Sequence, residues 1–332
     1  MNTPDTREAV VAAEARTAQL DIVIVNWNSR DLLRSCVSAL AESVNASQLR
    51  VIVVDNASQD GSAERLQGGA LDLMVIRNES NRGFGAACNQ GAAAGEAPAI
   101  LFLNPDTRVR PDTLRLALQH LAVSPEIAIL GVRQTDESGT TLRTCARIPD
   151  IASLAGQAIG LDRLGLVRPH FMTEWNHEDT RQVGQVMGAF LMIRRELFQR
   201  LGGFDERFFV YFEDVDLCRR AAESGGAVVH FADAAIWHGT QGTTAQVKDR
   251  RLFYFLRSKA LYVAKHHGRA AALLLLALDL GVQIPLRVLR AFATEGRAGA
   301  AAVLRGAAML ARDIPNLWPK LARDAPRLNR NR

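Results

Sequence analysis

Four cysteines in 332 residues, Cys36, Cys88, Cys145 and Cys218, lie far apart and form no C-x-x-C pair. That spacing argues against a zinc site and against a disulfide framework, and reduced, mostly buried thiols are expected. Residues 1–14 include acidic side chains and lack a basic stretch followed by an apolar one, so nothing there reads as a secretory signal. No apolar run reaches the ~20 residues of a membrane span. Ala270 to Leu278 is unbroken, but Asp279, Gln283 and Pro285 follow at once. No glycine- and lysine-rich phosphate loop stands near the N-terminus, which counts against a nucleotidyltransferase. Gly83-Phe84-Gly85 lacks the third glycine of a dinucleotide fingerprint and follows the third strand-like run, which disfavours a dehydrogenase. No internal repeat stands out beyond alanine enrichment around Ala298 to Ala308.

What is present is an ordinary globular composition, 48% hydrophobic and 23% charged, with a marked charge split. Residues 246–332 hold 17 Lys and Arg against 5 Asp and Glu, a net of +12, which leaves −7 for the rest. The reading is a flexible arm over 1–18, an α/β body over 19–245 and a basic, amphipathic helical region over 246–332. That region interleaves arginine with alanine and leucine and has no basic-aromatic recognition pattern. An anionic membrane surface therefore suits it better than nucleic acid, with packing on the body or an oligomer contact as alternatives. The expected location is cytoplasmic, peripheral on the inner face of the cell membrane.

Apolar runs alternate with amphipathic stretches from Leu20 onward. Ile22-Val23-Ile24-Val25 stops at Asn26-Trp27-Asn28-Ser29 before a helix over 31–40. Val51 to Val54 stops at Asp55-Asn56-Ala57-Ser58 before a short helix over 60–66. Leu73 to Ile76 leads to Asn81-Arg82-Gly83-Phe84-Gly85 and an alanine-rich helix over 86–94. Ala99 to Leu103 ends in Asn104-Pro105-Asp106, and a helix over 112–122 and a strand over 127–130 follow. Continuous apolar strands alternating with helices predict a mostly parallel sheet covered on both faces. Its ligand crevice lies outside the strands' carboxyl ends, where Asn26, Asp55, Asn56 and Asp106 stand. Residues 151–179 read as an irregular loop over the site, 186–193 as a strand, and 227–230 as another strand leading towards His238.

The most telling stretch is Val210-Tyr211-Phe212-Glu213-Asp214-Val215-Asp216-Leu217-Cys218, three carboxylates in four positions directly behind an aromatic run. Carboxylates against an aromatic wall either open a helix, where the positive dipole end favours them, or do chemistry. Asp55 can accept a hydrogen bond from a nucleobase imide or a ribose hydroxyl. Arg82 and the glycines beside it can approach a phosphate. Asp106 gives one carboxylate for a hard divalent ion, and His238 can complete such a site.

Taken in order, Val25-Asn26-Trp27-Asn28-Ser29, Val53-Val54-Asp55-Asn56-Ala57-Ser58, Asn81-Arg82-Gly83-Phe84-Gly85, Leu103-Asn104-Pro105-Asp106, Gly188-Ala189-Phe190, Gly202-Gly203-Phe204-Asp205-Glu206 and Phe212-Glu213-Asp214-Val215-Asp216-Leu217 resemble glycosyltransferase family 2, in its rhamnosyltransferase-like branch. The resemblance implies a GT-A fold with a C-terminal helical extension. It also implies metal-dependent (Mg²⁺ or Mn²⁺), inverting transfer of a sugar from a nucleotide diphosphate, with dTDP-rhamnose the first expectation and a UDP-sugar the alternative. The acceptor expected is a glycan or a polyprenyl-diphosphate-linked sugar of cell-surface polysaccharide. A non-catalytic nucleotide-sugar-binding scaffold is the reading from a different class. By resemblance Asp214 is the general base, and Glu213 orients it or binds acceptor. Asn26, Asp55, Asn56, Arg82, Gly83 and Asn104 hold the donor, and Asp106 and His238 hold the metal. The family's aspartate-x-aspartate triplet stands here as Asn104-Pro105-Asp106, with one carboxylate fewer.

Overall fold

The computed structural model describes residues 18–64, 66–162, 164–239 and 248–322. Residues 1–17 of the expected arm and the last ten basic-rich residues lie outside the described residues. The strands are β1 (Leu20–Asn26), β2 (Leu49–Asp55), β3 (Asp72–Arg77), β4 (Ala99–Leu103), β5 (Thr107–Val109), β6 (Ile127–Thr135), β7 (Arg181–Gln182), β8 (Phe190–Arg194) and β9 (Ala227–His238). The helices are α1 (Asp31–Ala41), α2 (Phe84–Ala93), α3 (Thr113–Val123), α4 (Ile151–Ala158), α5 (Arg195–Arg200), α6 (Glu213–Glu223), α7 (Lys248–His267), α8 (Arg269–Leu278) and, after a π-helical segment over Asp279–Gln283, α9 (Ile284–Ala322).

One sheet runs β3-β2-β1-β4-β8-β6-β9-β5, with β7 on β9. The first four strands are mutually parallel, as their unbroken apolar runs require. β8 lies antiparallel to both β4 and β6, and β5 antiparallel to β9, so the second half is mixed. Alternate residues of each strand serve opposite faces. Ile22, Ile24, Val51 and Val53 pack with Leu33 and Val37 of α1 and Leu114 of α3. Val23, Val25, Ile52 and Val54 pack on the other side with Ala87 and Cys88 of α2 and Leu217 of α6. All four cysteines are free and buried, as their spacing predicts.

Several elements differ from the sequence reading. Residues 60–64 form turns instead of a helix, because Asp60 accepts from the Ser62 amide and hydroxyl and Gly61 takes φ +70°, a local alternative to helical bonding. Residues 186–189 form a loop, and the strand begins only at Phe190. The stretch over 151–179 opens with α4, whose Asp150 and Ser153 close a capping box that pattern reading passed over. β6 continues through Gln134 and Thr135, both buried, and β9 is a single twelve-residue strand.

Two buried ionic clusters hold these layers together. Asp21, fully buried in β1, accepts from the Ala97 amide at 2.8 Å and from Arg195 at 2.6 Å. Arg195 spends its other donors on the Ala92 and Ala97 carbonyls. In the second cluster Asp216 of α6 meets Arg220 at 2.8 Å, Lys265 at 2.7 Å and His266 at 2.8 Å. Lys265 also meets Asp205 at 2.7 Å. Burial opposes the Asp216 charge, but His266, Arg220 and Lys265 outweigh it and hold the carboxyl below its ordinary range. α7 is thereby docked on α6, and its Leu256, Leu261 and Tyr262 share a core with Phe208, Phe212, Val215 and Leu154.

Removing one partner of a buried pair leaves an uncompensated charge. Arg195→Ala is therefore expected to cost about 3–5 kcal/mol in urea unfolding. A loss under about 1 kcal/mol, the range of an exposed pair, would show that water already reaches Asp21.

Candidate active site

The site is assembled where β1, β2 and β4 end. Parallel pairing sets Asn26 opposite Asp55. The buried Asn26 amide donates to Asp55 Oδ1 at 2.8 Å, Ser58 Oγ at 3.0 Å and Ser62 Oγ at 2.8 Å, while its own Oδ1 has no partner among the described residues. The two facing loops are laced further: the Asn28 amide donates to Ser58, Asn28 Oδ1 accepts from the Gln59 amide, and the Arg30 amide donates to Asp60. Asn28, Arg30 and Ala57 all take positive φ, a concentration of backbone strain that marks functional loops.

Asn56 spends its side chain on the next loop. It accepts from Asn78 Nδ2 and the Arg82 amide, and donates to Asn81 Oδ1 and the Gly83 carbonyl. It therefore shapes the 78–83 loop and offers a ligand little. Arg82 is exposed, its guanidinium 3.4 Å from Gln90. Gly83, at φ +89°, is pressed against the turn before α6, where a Cβ would lie 2.6 Å from the Phe209 carbonyl. The next amide, Phe84, donates to that carbonyl at 2.7 Å.

Antiparallel pairing of Thr107 with His238 brings the β4–β5 loop to the end of β9. Asp106 Oδ1 lies 3.5 Å from His238 Nε2, and His238 Nδ1 lies 2.8 Å from Gln134 Oε1. With Gln134 accepting, the imidazole donates from Nδ1, so its Nε2 lone pair faces the Asp106 carboxylate. In that tautomer the Asp106 carboxylate and the His238 Nε2 could hold a divalent ion between them. Among the described residues no third His, Cys, Asp or Glu joins them, so diphosphate and water would supply the remaining ligands. Gln134 is the partner that sequence reading missed, and its only signal was a polar residue inside a strand. The Asn104 backbone anchors this loop: its amide donates to the Ala189 carbonyl at 3.1 Å, and its carbonyl accepts from Thr107.

The same short segment reaches the acidic helix. One residue before Ala189, the Gly188 amide donates to Asp214 Oδ2 at 3.1 Å, while the Val215 amide donates to Asp214 Oδ1 at 2.8 Å. Residues 188–189 thus tie Asp214 to the 104–106 loop. Tyr211 and Phe212 both take φ +68° immediately before α6, which turns Asp214 towards Gly188 and Asp216 away into the ionic cluster. Phe209 stacks on Tyr254 at 4.6 Å, and Phe212 packs on Phe255 and Tyr262. Burial raises the Asp214 carboxyl, and the Val215, Gly188 and Gln185 bonds only partly offset it. Asp214 nevertheless keeps partial solvent access. Glu213 is 6% exposed and its Oε2 has no partner among the described residues. Burial, reinforced by the neighbouring Asp214 charge, pushes it well above the carboxylate range.

A family model described as glycosyl transferase family 2 matches residues 21–202. The chain belongs to glycosyl transferase family 2. It is a nucleotide-sugar-dependent glycosyltransferase, rhamnosyltransferase-like, built on a GT-A fold. It is 26% identical over 269 residues to N-acetylglucosaminyl-diphospho-decaprenol L-rhamnosyltransferase of Mycobacterium tuberculosis, covering 76% of this chain and 86% of that one. It is 25% identical over 206 residues to the low-salt glycan biosynthesis hexosyltransferase Agl10 of Haloferax volcanii, covering 61% of each. Among solved structures, a Pyrobaculum calidifontis mannosyltransferase in complex with GDP-Man and Mn²⁺ aligns with TM-score 0.53 and 19% identity, over 92% of this chain and 85% of that one. The 1–349 fragment of S. aureus TarS aligns with TM-score 0.51 and 14% identity, over 92% of this chain and 87% of that fragment.

The raised Glu213 carboxyl has a consequence for stability. Folded and unfolded chains both carry it neutral below the unfolded value, and stability is lost as pH rises from there towards the folded value. Glu213→Gln is therefore expected to be more stable than wild type at pH about 8, with the difference shrinking towards pH about 4, in urea unfolding at both. A variant less stable at the higher pH would mean that Glu213 is ionised and paired.

Proposed function

We propose that this glycosyltransferase inverts configuration, taking a deoxyhexose such as rhamnose from dTDP-rhamnose, with a UDP-sugar as the second donor class. The acceptor is a hydroxyl of a sugar carried on a polyprenyl diphosphate in cell-surface polysaccharide synthesis. The similarity to the mycobacterial rhamnosyltransferase supports the donor and acceptor class. The observation that carries the mechanism is Asp214. Its two oxygens are each held by a backbone amide, it sits beside the strand-end crevice, and it keeps partial solvent access.

Inversion needs one in-line displacement, in which the acceptor oxygen attacks the anomeric carbon as its proton leaves. Asp214 takes that proton. The Gly188 and Val215 amides fix its direction, and burial raises its basicity towards the working pH. Glu213, neutral and unpartnered beside it, donates a hydrogen bond to the acceptor and adds no second charge. Asp55, oriented by Asn26, accepts from the base or ribose, and Arg82 pairs with a phosphate. Asp106 and His238 would hold a divalent ion, which when bound neutralises charge developing on the nucleoside diphosphate.

The test is donor binding and turnover across a panel of nucleotide sugars, with and without Mn²⁺ or Mg²⁺. Asp214→Asn is expected to lower kcat by about 10²–10⁴-fold with donor Kd nearly unchanged. Asp106→Ala is expected to abolish the metal's effect on donor binding. Retained turnover in Asp214→Asn would remove the base from this position.

Because Asp214 is raised, the acid limb of kcat/KM is expected above the ~3.9 of an ordinary aspartate. Activity is lost as pH falls through that raised value and is fully present above it. Glu213→Gln should leave the limb in place, since Glu213 is already neutral there. A limb at or below ~3.9 would contradict a desolvated base.

A further inference from the structure

α8 and α9 are apolar on two sides. Inward, Leu275, Leu276, Ile284, Leu310 and Leu317 join the core with α7, and Asp279 meets Lys259 at 2.6 Å in the protein interior. The polar residues that interrupt the apolar run in the sequence are therefore consumed inside. Outward, Leu274, Leu286, Leu289, Phe292, Leu304 and Trp318 are 48–67% exposed. An apolar surface of this length on a monomer calls for a cover.

The charge around it says which one. Arg290 and Arg297 are exposed beside Leu289 and Phe292, and Arg269 lies 3.8 Å over the Trp318 ring. Residues 269–322 hold seven basic against three acidic residues. Arginine and tryptophan bordering exposed leucine and phenylalanine suit the headgroup level of a bilayer. A second copy is a poor cover, because a two-fold contact would bring two copies of the same basic border together without adding a compensating acidic surface.

Residues 269–322 are long and apolar enough to cross a membrane by composition. Gly296, at φ +68° and ψ −158°, breaks α9 into two arms. The first arm is helical from Arg269 to Glu295, about 40 Å at 1.5 Å per residue, but its inner face packs on α7 through Leu275, Leu276 and the buried Asp279–Lys259 pair, which holds it on the body and keeps it from crossing the ~30 Å hydrocarbon layer. We infer that the outer face of the α8–α9 hairpin docks flat on an anionic lipid surface, its leucines and Phe292 inserted and its arginines at the phosphates. α7 joins this hairpin to α6, so docking sets the Asp214 crevice at a constant height above the lipid.

Vesicle co-sedimentation of the full chain tests this without donor or acceptor, so its outcome is read separately from that of the transfer reaction. Binding to phosphatidylglycerol–phosphatidylcholine vesicles at low salt is expected, weakened by added salt and weak on phosphatidylcholine alone. Leu289→Glu with Phe292→Glu, and separately Arg290→Gln with Arg297→Gln, should each lower partitioning about tenfold with unchanged thermal unfolding. Brominated lipid should quench tryptophan fluorescence in wild type, and the quenching should fall in Trp318→Phe. No vesicle binding, equal binding by the variants, resistance to alkaline carbonate extraction, or a solution dimer dispersed by Leu289→Glu with Phe292→Glu would each overturn flat docking.

Discussion

The geometry of the site depends on one strained turn. Tyr211 and Phe212 hold consecutive left-handed conformations, each worth about 1–3 kcal/mol of strain for a residue with a side chain. Such a turn persists only when its surroundings over-determine it. Gly83 presses on the Phe209 carbonyl from one side, and only glycine leaves room there. From the other side Ser258 donates to the Val210 carbonyl at 2.8 Å, Arg257 donates to the Arg207 carbonyl at 3.2 Å, and Tyr254, Phe255 and Tyr262 pack on the aromatic rings. Helix α7 is thus a buttress of α6. The Asp216–Lys265–Asp205 cluster pins it there at the first turn of α6.

A division of labour between adjacent carboxylates follows from that turn. Asp214 points to Gly188 and is held by two amides, Asp216 points the other way to Arg220, Lys265 and His266, and Glu213 is buried with neither. The same chemical group is therefore raised and partly solvated at 214, lowered at 216 and kept neutral at 213. Three carboxylates in four positions are shifted differently because helical spacing sends them to different environments.

The ends of β1 and β2 are organised by amide side chains more than by charge. Asn26 bridges the ends of β1 and β2, and Asn56 ties the 78–83 loop to the end of β2. Loops fixed in this way would lose little conformational entropy on binding a ligand. Asp55 keeps an orientation set by Asn26, and the pair Asp106–His238 is set by the β5–β9 register, with Gln134 selecting the imidazole tautomer.

Much of this was legible in the chain itself. The apolar runs over 22–25, 51–54 and 99–103 determined three parallel strands, because strands buried on both faces need no polar alternation, and the run over 73–76 forms a half-exposed parallel edge strand. Their polar ends located Asn26, Asp55 and Asp106, and the order of motifs pointed to the family. Local chemistry misled at Asp60, where an aspartate-glycine-serine turn outcompetes a helix. It also concealed α4, whose start is a capping box in an otherwise irregular stretch. What only the tertiary structure decided were the long-range relations: β8 antiparallel between β4 and β6, Gln134 behind His238, Gly188 on Asp214, and α7 locking the turn before α6. Each depends on residues tens of positions apart meeting across a buried interface, and hydrophobic periodicity, being local, records that a face is buried without recording what buries it.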